Sequence, residues 1–152
     1  MKYLFIDMDA TICDFGVGDG RVIVSDFTNE KGFFLNKSPI KIVLKAIEVL
    51  FPRSKYEYHI LSASPTEMGV EEKEVWLDKN FFIEKEKRHF VRYPDESKAV
   101  YIQNFCLKHN INPVDCVLLD DTQRHLEEAE GVGVYVMHPI NLICRYEKYL
   151  DR

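Results

Sequence analysis

Short apolar runs that end in acidic turns constrain this chain more than any other feature. Tyr3-Leu4-Phe5-Ile6 stops at Asp7-Met8-Asp9-Ala10-Thr11, and Cys116-Val117-Leu118-Leu119 stops at Asp120-Asp121. An apolar run without polar alternation fits a strand buried on both faces, as in a parallel sheet. Similar short runs recur at Tyr58-His59-Ile60-Leu61, at Phe90-Val91 and at Val132-Val134-Tyr135-Val136.

Helical patterns lie between most of these runs. Ser38-Pro39 fits an N-cap followed by Pro at the first helical position, with Ile40, Val43, Leu44, Ile47 and Leu50-Phe51 at helical spacing and Pro52 as the stop. Glu67 to Asn80 forms a second helix carrying Val70, Glu74, Leu77 and Phe81 on one side with Trp76 beside them, although Gly69 lies near its start. Ser97 to His109 is a third, with Ala99, Ile102, Phe105 and Cys106 as its buried stripe, and Thr122 to Glu130 a short fourth. Leu142 to Leu150 reads as a terminal helix or a fraying end. Strands alternating with helices predict an α/β fold: a mostly parallel, Rossmann-like central sheet flanked by helices. Residues Asp14 to Lys37 break this rhythm with FGVGDG, RVIVSDF and NEKGFFL. They read as a Gly-rich turn, a strand and an aromatic loop: a very small cap or lid inserted after the first strand.

At 152 residues the expectation is one domain, 1–152, with 14–37 as an insertion inside it. A chain of this length buries roughly 69% of its unfolded surface, enough for a core without staples. The net charge of −5 argues against non-specific binding to nucleic acid. Cys13, Cys106, Cys116 and Cys144 show no C-x-x-C spacing, and the first three sit among apolar residues as small buried hydrophobes. Two Asp within the first nine residues exclude a secretory leader there, and no run of 18 apolar residues occurs. The expectation is a cytoplasmic protein that does not engage a membrane.

The chemistry lies in where the acids fall. In an open parallel sheet, ligands bind beyond the carboxyl ends of the strands. Two adjacent strands ending in Asp7/Asp9 and Asp120/Asp121 would bring their carboxylates into one crevice, a cost that a cation or a shared proton relieves. Mg²⁺ needs only a few protein oxygens. Asp7 suits a ligand or a nucleophile, and Asp9 an acid that protonates a leaving alkoxide and then deprotonates water. Ser62, after a middle strand, offers a hydroxyl, and Lys98, at a helix start, offers a point charge for an anion. Each of these residues alone reads as ordinary surface or capping chemistry. Their order along the chain is what points to a site. His59, inside an apolar run, reads as a core histidine.

The ordered set of D7-M8-D9-A10-T11, Ser62 in ILSAS, Lys98 and L118-L119-D120-D121 resembles the four motifs of the haloacid dehalogenase-like (HAD) hydrolase superfamily. The resemblance covers nearly the whole chain. It is greatest to the 5'-nucleotidase, deoxy (pyrimidine) group and its uncharacterised bacterial and phage relatives, through YLFIDMDAT, EKGFFLNKSPI, ILSAS and EEKEVWLDKNF.

That resemblance implies a HAD-type phosphatase using Mg²⁺. Asp7 would be the nucleophile that forms an aspartyl-phosphate, and Asp9 the general acid/base, with its backbone carbonyl on the metal. Thr11 would support the loop, Ser62 would hydrogen-bond the transferring phosphoryl group and Lys98 would neutralise it. Asp120 would ligate Mg²⁺ with Asp7, and Asp121 would act as a further ligand, directly or through water. The implied substrate is a small-molecule phosphate ester such as a (deoxy)nucleoside monophosphate, with Phe15, Phe27, Phe33 or Phe34 available to stack a base. Arg88, His89, Arg92 and Tyr93 are candidates for the pocket rim. Short-capped members often cover their sites by self-association, so a homo-oligomer is among the expectations. The rival readings are a polynucleotide 3'-phosphatase, which calls for a basic groove, and a non-catalytic HAD-like binding protein, which calls for loss of a motif acid. A receiver module has its acidic pair and acceptor Asp in a different strand order. Ala10 stands where the superfamily has Gly, and an Ala there is strained if the position needs positive φ.

Overall fold

The chain folds so that each short apolar run becomes one rung of a single sheet. The structure is a computed structural model and describes residues 1–14, 31–92 and 95–151. The strands are β1 (Lys2–Ile6), β2 (Tyr56–Ala63), β3 (Arg88–Val91), β4 (Cys116–Leu119) and β5 (Tyr135–Met137). The helices are α1 (Lys41–Leu50), α2 (Glu67–Asn80), α3 (Lys98–His109), α4 (Gln123–Gly131) and α5 (Pro139–Leu150). Among the described residues all strand pairings are parallel, in the order β3-β2-β1-β4-β5. This is the doubly wound order, in which the chain runs outward from β1 to one side and then returns to build the other. The expected Rossmann-like α/β architecture is present.

Alternation along β1 explains why its run is apolar throughout. Leu4 and Ile6 pack on one face with Val43 and Ile47 of α1, Trp76 and Leu77 of α2, and Leu142 and Tyr146 of α5. Phe5 packs on the other with Ala99, Ile102 and Cys106 of α3 and Leu126 and Ala129 of α4. Cys106 and Cys116 are buried there as free thiols with their sulfurs 3.5 Å apart, as small hydrophobes. His59 is a core histidine: Nε2 pairs with Glu57 at 2.8 Å, and Nδ1 meets His89 Nε2 at 3.0 Å.

Some boundaries differ from the sequence pattern, each for a local reason. Helix α1 begins at Lys41, after Ser38-Pro39, because those two residues pair with the outgoing chain. Asp14 N–H donates to the Ser38 carbonyl at 2.7 Å, Ile40 N–H donates to the Ile12 carbonyl at 2.8 Å, and Cys13 bridges Pro39. The two legs of the 14–37 excursion are thus stitched together at its base. Helix α5 begins earlier than Leu142, at Pro139, because His138 Nδ1 accepts from Ile140 N–H as the cap. Strand β5 starts at Tyr135, since Gly133 at φ 87° makes Val132-Gly133 a turn. Gly69 is tolerated inside α2 because of crowding: a Cβ there would lie 2.7 Å from Ser64 Oγ and 3.1 Å from the Phe34 ring. No helix among the described residues is long and apolar enough to cross a membrane.

Candidate active site

The sheet changes direction of growth between β1 and β4, and the acids sit at that point. Asp7 N–H donates to the Leu119 carbonyl at 2.9 Å, which carries the β1–β4 ladder one residue past β1. Asp120 N–H similarly donates to the Met137 carbonyl at 3.2 Å. Both carboxylates are therefore fixed by backbone pairing at the carboxyl edge, where ligands bind in such sheets. Asp7 is 5% exposed and Asp120 fully buried.

Beyond Asp7 the chain turns sharply. The Met8 carbonyl accepts from the N–H groups of Thr11, Ile12 and Cys13 at 2.9–3.1 Å. Ala10 takes φ 54° to close this turn, a left-handed conformation that a Gly would supply without cost. The turn brings Thr11 Oγ1 back to 3.4 Å from Asp7 Oδ2 and 3.5 Å from Asp121 Oδ1.

Lys98 is the first residue of α3, where the helix N-terminus already favours anions. Its ammonium is 2% exposed and donates to Asp7 Oδ1 and Asp120 Oδ2, both at 2.6 Å. The other oxygen of Asp120 accepts Thr122 N–H at 2.9 Å, and His125 Nδ1 lies 3.2 Å from both oxygens. Ser62 is fully buried at the end of β2. The His138 imidazole braces the Asp121 turn, with Nε2–H donating to the Asp121 carbonyl at 3.1 Å.

One ion pair carries no signature in the motif order. Lys73, on α2 and 1% exposed, donates to Asp9 Oδ2 at 2.6 Å, to the Ala63 carbonyl at 2.7 Å and to Ser62 Oγ at 3.0 Å. The Phe34 ring lies over this ammonium, with Nζ 4.6 Å from the ring centroid. The sequence did hold a clue: Lys73 falls at helical spacing with Gly69, Trp76 and Leu77, the residues that α2 buries. Next to it Glu72 accepts the N–H groups of Gly32 and Phe34, and Trp76 Nε1–H donates to the Lys37 carbonyl at 2.6 Å. Successive turns of α2 therefore hold residues 32–37 against the site.

The electrostatics follow from burial among like charges. Burial pushes the Asp7 carboxyl up to about 7 against the pull of Lys98, and Asp120 and Asp9 add to the rise. Burial also raises Asp121, with Asp120 beside it. For Asp120, burial is outweighed by the bonds from His125 and Lys98, so its carboxyl stays below the usual range. Lys98 is raised because Asp7 and Asp120 overcome the cost of its own burial. Asp7, Asp120 and Asp121 each offer an oxygen within 4.8 Å of the others. An all-carboxylate donor set suits a hard divalent cation such as Mg²⁺. The residues fit the ion.

The crevice over these groups has a volume of about 190 Å³ and is lined by Asp7, Asp9, Ala10, Ala63, Lys98, Asp121, Thr122 and His125. A roomier groove of about 590 Å³, between α3 and the His59–His89 pair, holds none of these groups. Converging acids and an ammonium, not size, identify the site.

The structure thus brings Asp7, Asp9, Thr11, Ser62, Lys98, Asp120 and Asp121 together. Among the described residues it does not bring the rim candidates Arg88, His89 and Arg92 in. The Arg88 guanidinium is buried on Asp78 and the carbonyls of Ile83 and Glu74. His89 stacks on His59, 5.3 Å between ring centroids, and Arg92 is exposed with its N–H on Glu96. Of the aromatic candidates, Phe34 is 7% exposed and packed on Lys73, so its ring is not free to stack a base. Phe33 is half-buried, with the Lys37 ammonium 3.9 Å from its centroid. Phe15, Phe27 and Tyr93 lie outside the described residues.

Comparison with solved structures places this architecture. No family model matches the sequence, and no curated protein matches it. A haloacid dehalogenase-like hydrolase of Streptococcus pneumoniae superposes with a TM-score of 0.60 at 14% identity, over 96% of this chain and 90% of that one. A HAD-family enzyme of Bacteroides thetaiotaomicron, solved with magnesium and inorganic phosphate, superposes at 0.59 and 13% identity, over 91% and 93%. The N-terminal part of a Bacteroides fragilis protein, containing a phosphatase domain complexed with Mg, superposes at 0.54 and 20% identity, over 98% of this chain and 39% of that one. The chain has the fold of the HAD-like hydrolases.

Proposed function

We propose that the protein is a Mg²⁺-dependent phosphomonoesterase that works through an aspartyl-phosphate on Asp7. The observation that carries this reading is the convergence of Asp7, Asp120 and Asp121 within 4.8 Å at the sheet's switch point, with Lys98 bridging two of them. Asp7, Asp120 and Asp121 would hold the ion, joined by the Asp9 backbone carbonyl. When bound, the ion lowers the repulsion between the carboxylates and an incoming phosphoryl dianion.

The residues then divide the work. Asp7 carboxylate attacks phosphorus, Asp9 protonates the departing alkoxide, and the same Asp9 takes a proton from the water that cleaves the acyl phosphate. Lys98 balances charge on the phosphoryl oxygens. Ser62 Oγ accepts from Lys73, which leaves its own O–H to donate to the phosphoryl group. Thr11 ties the Asp9 turn to Asp7 and Asp121.

A small ester is the substrate class we assign, of the (deoxy)nucleoside monophosphate kind, with residues 14–37 as the cap over a single 1–152 domain. The similarity of YLFIDMDAT and EKGFFLNKSPI to the nucleotidase group supports this finer reading. The acidic net charge of −5 weighs against a polynucleotide substrate. The retention of every motif acid weighs against a non-catalytic role.

The test is phosphate release with Mg²⁺ across ribo- and deoxyribonucleoside 5'- and 3'-monophosphates, sugar phosphates and a 3'-phosphorylated oligonucleotide. Asp7→Asn serves as the blank. Preference for one mononucleotide class, lost in the variant, is the expected result. Turnover of the oligonucleotide alone would move the function to end repair, and inactivity throughout would remove the phosphomonoesterase reading.

A further inference from the structure

We infer that Lys73 is a positioning residue that holds one oxygen of Asp9 and leaves the other facing the crevice, where it serves esters whose leaving alcohols need a proton. The inference rests on the phosphomonoesterase reading and extends it to a residue outside the motif set. Asp9 Oδ2 is committed to Lys73 at 2.6 Å. Asp9 Oδ1 meets only the Cys13 thiol, at 3.8 Å, among its side-chain partners in the described residues. At 3.8 Å a thiol is only a weak donor. Oδ1 is therefore the oxygen free to carry the transferable proton. Asp9 also lines the crevice beside Asp7, whereas Lys73 stands behind it.

The Lys73 ammonium is held in place on all sides. Its hydrogen-bonding capacity is filled by Asp9, Ser62 and the Ala63 carbonyl, and the Phe34 ring covers it. Glu72, next to Lys73 on α2, accepts the Phe34 N–H at 3.1 Å, so the helix that carries the ammonium also anchors its cover. A side chain that reached Asp9 from the solvent would lose most of this coupling to water. Buried here, it stands within hydrogen-bond distance of the group that must change its own charge during the reaction.

As the P–O bond to the leaving group breaks, its electron pair passes to the leaving oxygen, which takes the proton from Asp9 Oδ1. Asp9 becomes a carboxylate, and the adjacent ammonium stabilises the charge that appears. In the second half, water attacks the acyl phosphate, its proton returns to Oδ1, and the Asp7 carboxylate is released. An interaction that strengthens as charge develops lowers the barrier more than it tightens substrate binding. It matters most where the leaving oxygen is most basic, in an alkyl ester, and least where the leaving group departs as a stable anion, in an aryl ester such as p-nitrophenyl phosphate.

The test measures kcat and KM of the wild type, Lys73→Met, Lys73→Arg and Phe34→Leu on an alkyl phosphate and on p-nitrophenyl phosphate, with saturating Mg²⁺. Lys73→Met is expected to lose kcat on both esters, with a loss on the alkyl ester greater by about tenfold or more, since general acid catalysis is worth ~10²-fold or above. Lys73→Arg, which keeps the charge, restores part of that difference, and Phe34→Leu gives a smaller effect in the same direction. Equal losses on the two esters in all variants would make Lys73 a structural strut and overturn the inference while leaving the phosphatase standing. If Lys73→Met does not fold, the arginine and Phe34 variants decide by the same ratio. A wild type that hydrolyses neither ester removes the phosphatase reading, and the inference with it.

Discussion

Ala10 offers a prediction whose size can be worked from the backbone. It holds φ 54° in the turn between Asp9 and Thr11, where an L-residue brings Cβ too close to the following carbonyl. That contact costs about 1–2 kcal/mol, and glycine is free of it. Glycine has its own penalty, about 0.5–1 kcal/mol of extra chain entropy lost on folding. The difference predicts that Ala10→Gly stabilises the protein by about 0.5–1 kcal/mol. For a domain of this size that is a rise of roughly 1–4 °C in Tm. Ala10→Val should do the opposite, because a β-branched residue at positive φ is a steric outlier. Denaturant unfolding of the three proteins, with unchanged m values, measures both differences directly. An Ala10→Gly protein less stable than the wild type, or a Val variant equal to it, would refute the strain argument.

The perturbed groups give further predictions. Because burial holds the Asp7 carboxyl up at about 7 without a cation, Mg²⁺ binding near pH 6 should release close to one proton, and near pH 8.5 almost none. Calorimetric heats should then depend on the buffer's ionisation enthalpy at the lower pH only; buffer-independent heats at pH 6 would contradict this. Burial, and then the neighbouring His59, lowers His89 to about 4, and burial lowers His59 as well. The unfolded chain therefore takes up these protons first. Their contribution to stability is whole above about pH 6.5 and is lost as the pH falls towards 4. The wild type should lose Tm across that window, and His89→Gln should flatten the loss; parallel curves would remove His89 as its source.

The sheet was legible because burial on both faces leaves a mark in the sequence. Leu4, Phe5 and Ile6 point alternately into two cores, so the run carries no polar residue. The strand order is less local: acids at the ends of β1 and β4 would share a crevice only if those strands were neighbours, and the sheet makes them so. What escaped the sequence depended on tertiary contacts. Lys73 is a charged residue in a helical stripe, and only the fold reveals that the stripe faces Asp9 and Ser62. His138 is not among the usual N-cap residues, so the true start of α5 was hidden. Ser38-Pro39 has the local chemistry of a helix start, but pairing with Cys13 and Asp14 takes precedence. Arg88 looked like a rim residue because the Asp78, Ile83 and Glu74 groups that absorb its charge come together only in three dimensions.

If the protein works as proposed, the Asp7 carboxylate becomes covalently phosphorylated during turnover. Quenching the enzyme during turnover with Mg²⁺ and a good substrate, then reducing with borohydride, converts an acyl phosphate side chain to an alcohol that peptide mass spectrometry locates. The account predicts that the mark falls on residue 7 alone, requires both Mg²⁺ and the ester, and is absent from Asp7→Asn. Turnover that leaves residue 7 unmarked, or a mark on Asp9 or Asp120 instead, would contradict it.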